Sequence, residues 1–117
     1  MATFSKAKLS ASTNGRNVTV AATATAGTTI HQAGAGSDSG AIDEIWLYAT
    51  NIDTSEIVLT LEWGDAAVTD NIKISIPSKS GLTLVSPGII LTGGLTLKAF
   101  AGTASKILLF GYVNRVT

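Results

Sequence analysis

Residues 40–64, GAIDEIWLYATNIDTSEIVLTLEWG, decide the fold class of this chain. The first half alternates apolar and aromatic positions, with Ile45, Leu47 and Ala49 on one side and Trp46 and Tyr48 on the other. The second half places four apolar residues on one side: Ile57, Leu59, Leu61 and Trp63. Alternation with a period of two is typical of strands that turn one face to a core. We therefore predict a β-hairpin here, with its bend at residues 51–56.

Short alternating segments and turn signals continue along the rest of the chain. Turns are predicted at Asn14-Gly15, in the loop GAGSDSG (residues 34–40), at Pro87-Gly88 and at Gly93-Gly94. No segment shows an apolar period of 3.6 residues. We predict one all-β domain over residues 1–117, a β-sandwich or jelly-roll-like fold of about eight or nine short antiparallel strands with almost no helix.

Two segments are apolar on both faces and are expected to be central strands or subunit contacts. They are Glu44–Ala49 and the final strand from Ile107 to Val113. The first thirteen residues contain only Phe4 and Leu9 as large apolar side chains. We expect this segment to be either an edge strand or an extended N-terminal arm that lies on a neighbouring molecule.

Composition favours association over nucleic-acid or membrane binding. The formal net charge is zero and only 14% of residues are charged, against about 25% in typical soluble domains. Nucleic-acid binding requires a basic surface, whereas net charge near zero promotes association. The chain has no cysteine and no apolar run of the roughly 18 residues that cross a bilayer. Its first residues lack the apolar core of a signal peptide, so we expect synthesis in a cytoplasm.

Charges are segregated along the chain. All eight acidic residues lie between Asp38 and Asp70, where there is no base, and five bases follow from Lys73 to Arg115. Two interpretations remain open. Neighbouring strands of one subunit could interleave the two signs, or acidic and basic edges could meet between like subunits and fix their register.

Residues suited to catalysis are scarce. His31 is the only histidine and has no nucleophile or second base beside it in sequence, so we expect a packing or surface residue. One histidine without cysteine excludes an ordinary zinc site. The glycine-rich loop matches neither the dinucleotide nor the P-loop fingerprint. Asp65 and Asp70, in a turn, could hold calcium, but turn acids are common. We predict no catalytic, cofactor-binding or metal-binding residue.

Four segments carry a resemblance to a known class of proteins. They are LSASTNGR (residues 9–16), VAATATAGTTIH (20–31), DEIWLY (43–48) and GYVNR (111–115). Together they resemble small β-sandwich virion proteins of tailed bacteriophages, of the type that decorates or cements the capsid. The resemblance covers nearly the whole chain, and its motifs are structural.

The resemblance implies a non-enzymatic protein made in the host cytoplasm and bound to the capsid surface of the virion. Its partners would be the major capsid protein and copies of itself, commonly as a homotrimer, with no cofactor, nucleic acid, membrane or small-molecule substrate. Large aromatic side chains anchor interfaces. The predicted contact residues are Phe4, Lys6, Lys8, Arg16, Trp46 and Tyr48.

One alternative function belongs to a different class. The chain could be a carbohydrate-binding or adhesin module associated with a tail or fibre. That function requires Trp46 or Tyr48 to face outward beside an acidic turn that binds calcium.

Overall fold

The structure is a computed structural model that describes residues 3–34 and 41–117. Within those residues nine strands and one short 3-10 turn, Val68–Asp70, follow one another. The strands are β1 (Phe4–Lys8), β2 (Val18–Thr19), β3 (Thr28–Gln32), β4 (Ile42–Asn51), β5 (Ile57–Trp63), β6 (Asn71–Ile76), β7 (Thr83–Leu91), β8 (Thr96–Ala101) and β9 (Ile107–Val116). The prediction of an all-β chain is confirmed.

The strands form two antiparallel sheets. The front sheet has the order β1-β9-β4-β7, with β2 beside the first half of β9. The back sheet has the order β3-β8-β5-β6. If β1 and β2 are taken as one interrupted strand, this is the strand order of an eight-stranded jelly roll. The predicted β-sandwich of jelly-roll type is therefore the observed architecture.

The core lies between the inner faces of the two sheets. Alternate residues of β4 and β9 point into it from the front sheet, and alternate residues of β5 and β8 meet them from the back sheet. The largest apolar side chains buried there are Leu9, Ile30, Ile45, Leu47, Leu59, Leu61, Ile76, Leu97, Ile107 and Leu109. β4 and β9 are the inner strands of the front sheet, which confirms that the segments apolar on both faces are central.

The predicted hairpin over residues 40–64 is wrong in its pairing. Both strands exist, but β4 pairs with β7 and β9, whereas β5 pairs with β6 and β8 in the other sheet. Alternation tells which face of a strand is buried, and it does not tell which strand lies beside it. The predicted bend is a corner that carries the chain from the front sheet to the back sheet.

The corner is held by Asn51, which is buried. Its side-chain amide donates to the carbonyl oxygens of Ser55 and Ile76, each at 2.9 Å. Its side-chain oxygen accepts from the backbone N–H of Asp53 at 2.9 Å. One side chain thus ties β4 to the end of β6 across the sandwich.

The predicted break at Pro87-Gly88 is also wrong. β7 runs through both residues, and the register with β4 shifts on either side of Trp46 and Leu47. Gly88 has φ +78°, as in a bulge that places a glycine in the left-handed region. β7 is an edge strand, where a proline costs no ladder hydrogen bond on its open side.

The N-terminal segment belongs to the sandwich from residue 4 onward. β1 pairs with the last residues of β9, from Phe4 opposite Val116 to Lys8 opposite Tyr112. Asn14 and Gly15 adopt positive φ angles in the predicted turn, but the strands on either side both pair with β9. Residues 35–40 of the glycine-rich loop lie outside the described residues.

Candidate functional site

The candidate functional surface is the outer face of the front sheet. β4 turns Glu44, Trp46 and Tyr48 outward because the residues between them point into the core. The facing residues of β9 are Asn114, Tyr112 and Phe110. On the other side of β4 the facing residues of β7 are Ile90, Pro87 and Leu84. We call the surface formed by these nine residues, together with Phe4, Lys6 and Lys8 of β1, the front face.

An aromatic pair lies at the centre of the front face. The rings of Trp46 and Tyr112 stack with centroids 6.3 Å apart and an interplanar angle of 13°. The ammonium of Lys6 lies 4.8 Å from the centroid of the Tyr112 ring. On the opposite side the indole of Trp46 lies over Gly88, where a Cβ would approach its Cζ2 to 2.9 Å. A continuous line of contacts therefore crosses all four strands.

Hydrogen bonds fix the orientation of the indole. Trp46 Nε1 donates to Glu44 Oε1 at 2.9 Å, and Asn114 Nδ2 donates to the same oxygen at 3.4 Å. Both Trp46 and Glu44 are half-buried. The aromatic pair is thus preorganised before any partner arrives, so little side-chain entropy remains to be lost on contact.

Gly111 allows β4 and β9 to approach at this point. A Cβ on Gly111 would overlap the carbonyl oxygen of Trp46 and lie 3.2 Å from the Cα of Leu47. These are backbone atoms of the neighbouring strand, which cannot rotate away as a side chain can. The sequence therefore requires glycine here for close approach of two strands.

A groove opens at the β1 end of the front face. It has a volume of about 380 Å³ and is lined by Phe4, Ser5, Lys6, Glu44, Asn114 and Val116. The side chain of Phe4 is 78% exposed beside it. A large apolar side chain this exposed next to a concave surface is typical of a contact region.

Five of the six predicted contact residues lie on the front face. Phe4, Lys6 and Lys8 lie along its β1 border, and Trp46 and Tyr48 lie in its centre. Arg16 does not belong to it, because it lies in the turn before β2. The predicted contact residues did not include Phe110 and Tyr112. The last strand is apolar on both faces, and this pattern indicated that its outward residues could form a contact.

The size of the front face suits a protein contact. β1 has five residues, β7 has nine, and β4 and β9 have ten each. At about 3.4 Å per residue and about 4.8 Å between strands, these four strands cover roughly 550 Å². Each partner in a standard interface buries about 800 Å². The face is therefore large enough to supply most of one side of a specific interface.

A second polar cluster is buried between the two sheets. Asp43 of β4 is fully buried and receives hydrogen bonds from Arg115 Nε and Nη2 at 2.6 and 2.8 Å. His31 Nε2 lies 2.7 Å from Asp43 Oδ2, and the backbone N–H of Gly34 donates to the same oxygen at 3.1 Å. Four nitrogen atoms thus surround the carboxylate, one at Oδ1 and three at Oδ2.

The tautomer of His31 follows from its second contact. The backbone N–H of Ser10 donates to His31 Nδ1 at 3.0 Å, so Nδ1 is an acceptor and the proton lies on Nε2. Both ring nitrogens are engaged and the side chain is 1% exposed. The expectation of a packing residue is met, since no lone pair of His31 faces solvent to act as a base.

The pKa of Asp43 reflects these neighbours. Burial alone raises the pKa of this carboxyl, but the hydrogen bonds from Arg115 and His31 and the charge of Arg115 outweigh it. The net result is a pKa below the ordinary value of an aspartate. Asp43 comes from the acidic block and Arg115 from the basic block, so at this site the opposite signs meet within one subunit.

The other acidic residues that the structure describes do not form a group that could hold a metal ion. Within residues 3–34 and 41–117 no group of three or more His, Cys, Asp or Glu side chains could hold a metal ion. Asp65 and Asp70 lie on the β5–β6 connection of the back sheet, whereas Trp46 and Tyr48 lie on the front sheet. Glu62 is buried and accepts from Gly27 N–H at 2.6 Å and from Thr25 Oγ1.

The part of the chain that the structure describes contains no helix with the length and apolar character needed to cross a bilayer. Comparison with known protein families, with curated proteins and with solved structures found no match to this chain.

Proposed function

We propose that this protein is a non-enzymatic structural protein of a tailed-phage virion. It binds the outside of the capsid as a decoration or cement protein, and it stabilises the contacts between capsomers. Its partners are the major capsid protein and copies of itself, which we expect to form a homotrimer. The capsid role rests on the resemblance of the four sequence segments to small virion proteins.

The observation that carries a structural function is the front face. Its aromatic centre is ordered by Trp46, Tyr112 and Glu44 before binding, it spans roughly 550 Å², and it includes the exposed side chain of Phe4. Such a face is suited to protein contact. The residues with the best catalytic potential, His31 and Asp43, are instead enclosed between the sheets.

The jelly-roll fold is compatible with this role and does not decide it. Viral capsid proteins and lectins both use it, and function must be argued from the surface. The carbohydrate-binding alternative retains one supporting observation, since Trp46 and Tyr48 do face outward. Its second requirement has no supporting observation, because the acidic turn belongs to the back sheet and both aromatic residues belong to the front sheet.

The proposal is tested by adding purified protein to phage heads that lack it. We expect saturable binding and a higher temperature of genome release from the decorated heads. The variant Tyr48→Glu should bind weakly, because it places a charge in the centre of the front face. Val58→Glu is the matched control, since Val58 is an exposed apolar residue of the back sheet.

Failure of the wild-type protein to bind heads or to co-purify with particles contradicts the capsid role. A glycan array separates the alternative from it. Specific glycan binding that is lost in Trp46→Ala, together with absence from heads, favours the adhesin.

A further inference from the structure

The chain carries a second apolar surface next to the front face. It follows the open edge of β7 and the connections at its two ends, and we call it the β7 edge. Its members are Leu82, Ile89 and Leu95, with 60%, 37% and 50% of their surfaces exposed. Ile89 lies opposite Ile45 of β4, so its side chain points to the inner side of the front sheet and not onto the front face.

The β7 edge is not built to add another strand. Pro87 lacks a backbone N–H, and the register shifts at two places along the strand. Trp63 of the back sheet donates its indole N–H to the carbonyl oxygen of Ile90 at 3.0 Å. Bulges, a proline and an occupied carbonyl all oppose edge-to-edge pairing. A partner would therefore contact the β7 edge through its apolar side chains and not through backbone hydrogen bonds.

Opposite charges lie at the borders of the two surfaces. Asp65 and Asp70 are exposed on the β5–β6 connection, where Asp65 lines one pocket together with Leu95 of the β7 edge and with Lys98. Lys6 and Lys8 are exposed along the far border of the front face. Ile90, Glu44, Asn114 and Lys6 lie in one row across the sheet. The acidic residues and the lysines thus lie at the same end of the sandwich but at opposite edges of it, the acids near β7 and the lysines on β1.

We propose that copies of this chain assemble head to tail, with the β7 edge of one copy against the front face of the next. The partner is a second copy because each copy presents both complementary surfaces. A two-fold contact between front faces would leave Leu82, Ile89 and Leu95 exposed. A repeated heterologous contact covers both surfaces on every copy, and it gives a ring when the rotation closes.

The charges fit this arrangement. Asp65 and Asp70 of one copy come to the border that carries Lys6 and Lys8 of the next. Complementary charges at the rim fix register and favour the correct partner. This inference rests on the self-association in the proposed function, and it adds which surfaces meet. It needs no capsid.

A complementation experiment tests it directly. Leu95→Glu damages the edge and leaves the front face intact, whereas Tyr48→Glu damages the front face and leaves the edge intact. We expect wild-type protein to sediment as a species of fixed size larger than a dimer. Each variant alone should be monomeric. An equimolar mixture should form a one-to-one dimer, because one intact edge and one intact face remain.

Val58→Glu is again the matched control and should assemble like the wild type. Far-UV circular dichroism and thermal unfolding establish that each variant is folded, and Leu82→Glu serves as a second edge variant if Leu95→Glu does not fold. A monomeric wild type overturns the inference, as does a dimer that Leu95→Glu leaves unchanged. Two folded variants that stay monomeric when mixed also overturn it. A ring that forms without binding heads leaves this inference standing and contradicts only the capsid role.

Discussion

A buried cluster of three side chains joins the two sheets at one end of the sandwich. Asp43 and Arg115 belong to neighbouring strands of the front sheet, and His31 comes from β3 of the back sheet. The cluster was not predicted from sequence, because its members are far apart in the chain. One clue was present, since Asp43 lies in the same alternating series as the buried Ile45 and Leu47.

Arg115→Met should lower the free energy of unfolding by about 3–5 kcal/mol. The change leaves the buried carboxylate of Asp43 without its cation, which is costly. Urea unfolding measures the effect. Arg16→Met makes the same chemical change in an exposed turn and should stay within about 0.5 kcal/mol of the wild type. Equal effects of the two substitutions would contradict the importance of the cluster.

Asp43 should make the protein sensitive to acid. Its folded pKa is depressed, so its contribution to stability is complete above the unfolded pKa of about 3.9. That contribution is lost as the pH falls through the folded value. We expect the unfolding free energy of the wild type to drop more steeply below about pH 4 than that of Asp43→Asn. Parallel pH profiles of the two proteins would show that Asp43 is not the responsible group.

Gly111→Ala should prevent folding or lower the melting temperature severely. The added Cβ would overlap backbone atoms of β4, and neither central strand can shift without disturbing its other neighbour. Gly102→Ala is the control, because no atom lies within 4 Å of the position of its added Cβ. Thermal unfolding by circular dichroism compares them. A folded Gly111→Ala protein with an unchanged midpoint would be inconsistent with this close approach.

At the scale of elements, the sequence predicts strands well and their partners poorly. Alternation identified both strands of residues 40–64, because burial of one face imposes a period of two. It could not show that the bend between them crosses from one sheet to the other. That choice depends on Asn51, whose side chain binds Ile76, 25 residues away. The prediction from sequence broke β7 at Pro87, because the sequence does not reveal that this strand lies at the edge of the sheet, where proline is tolerated.

Asn51→Ala should destabilise the corner by about 2–4 kcal/mol. It removes three hydrogen bonds and leaves the carbonyl oxygen of Ile76 buried without that donor. Chemical denaturation gives the value. Asn17→Ala removes a single exposed contact with Thr19 and should change stability by less than about 0.5 kcal/mol. A corner variant as stable as this control would mean that other contacts hold β4 and β6.

At the scale of the whole molecule, the jelly roll presents one preorganised face and one apolar edge on the same side. Five members of the front face are among the predicted contact residues. Trp46 and Tyr48 were predicted as aromatic residues of β4, and Phe4, Lys6 and Lys8 lie in the N-terminal segment that was expected to be an edge strand or an arm on a neighbouring molecule. It did not predict the stacking of Trp46 on Tyr112, because they come from strands 66 positions apart in the chain. The β7 edge also became visible only once the strand order was known.

The measurement that tests the central claim most directly is cryo-electron microscopy of native particles at side-chain resolution. We predict density for this chain on the outer capsid surface, with Trp46, Tyr48 and Phe110 buried against a neighbouring copy or the major capsid protein. Particles that lack the chain, or that carry it with the front face exposed to solvent, would contradict the account.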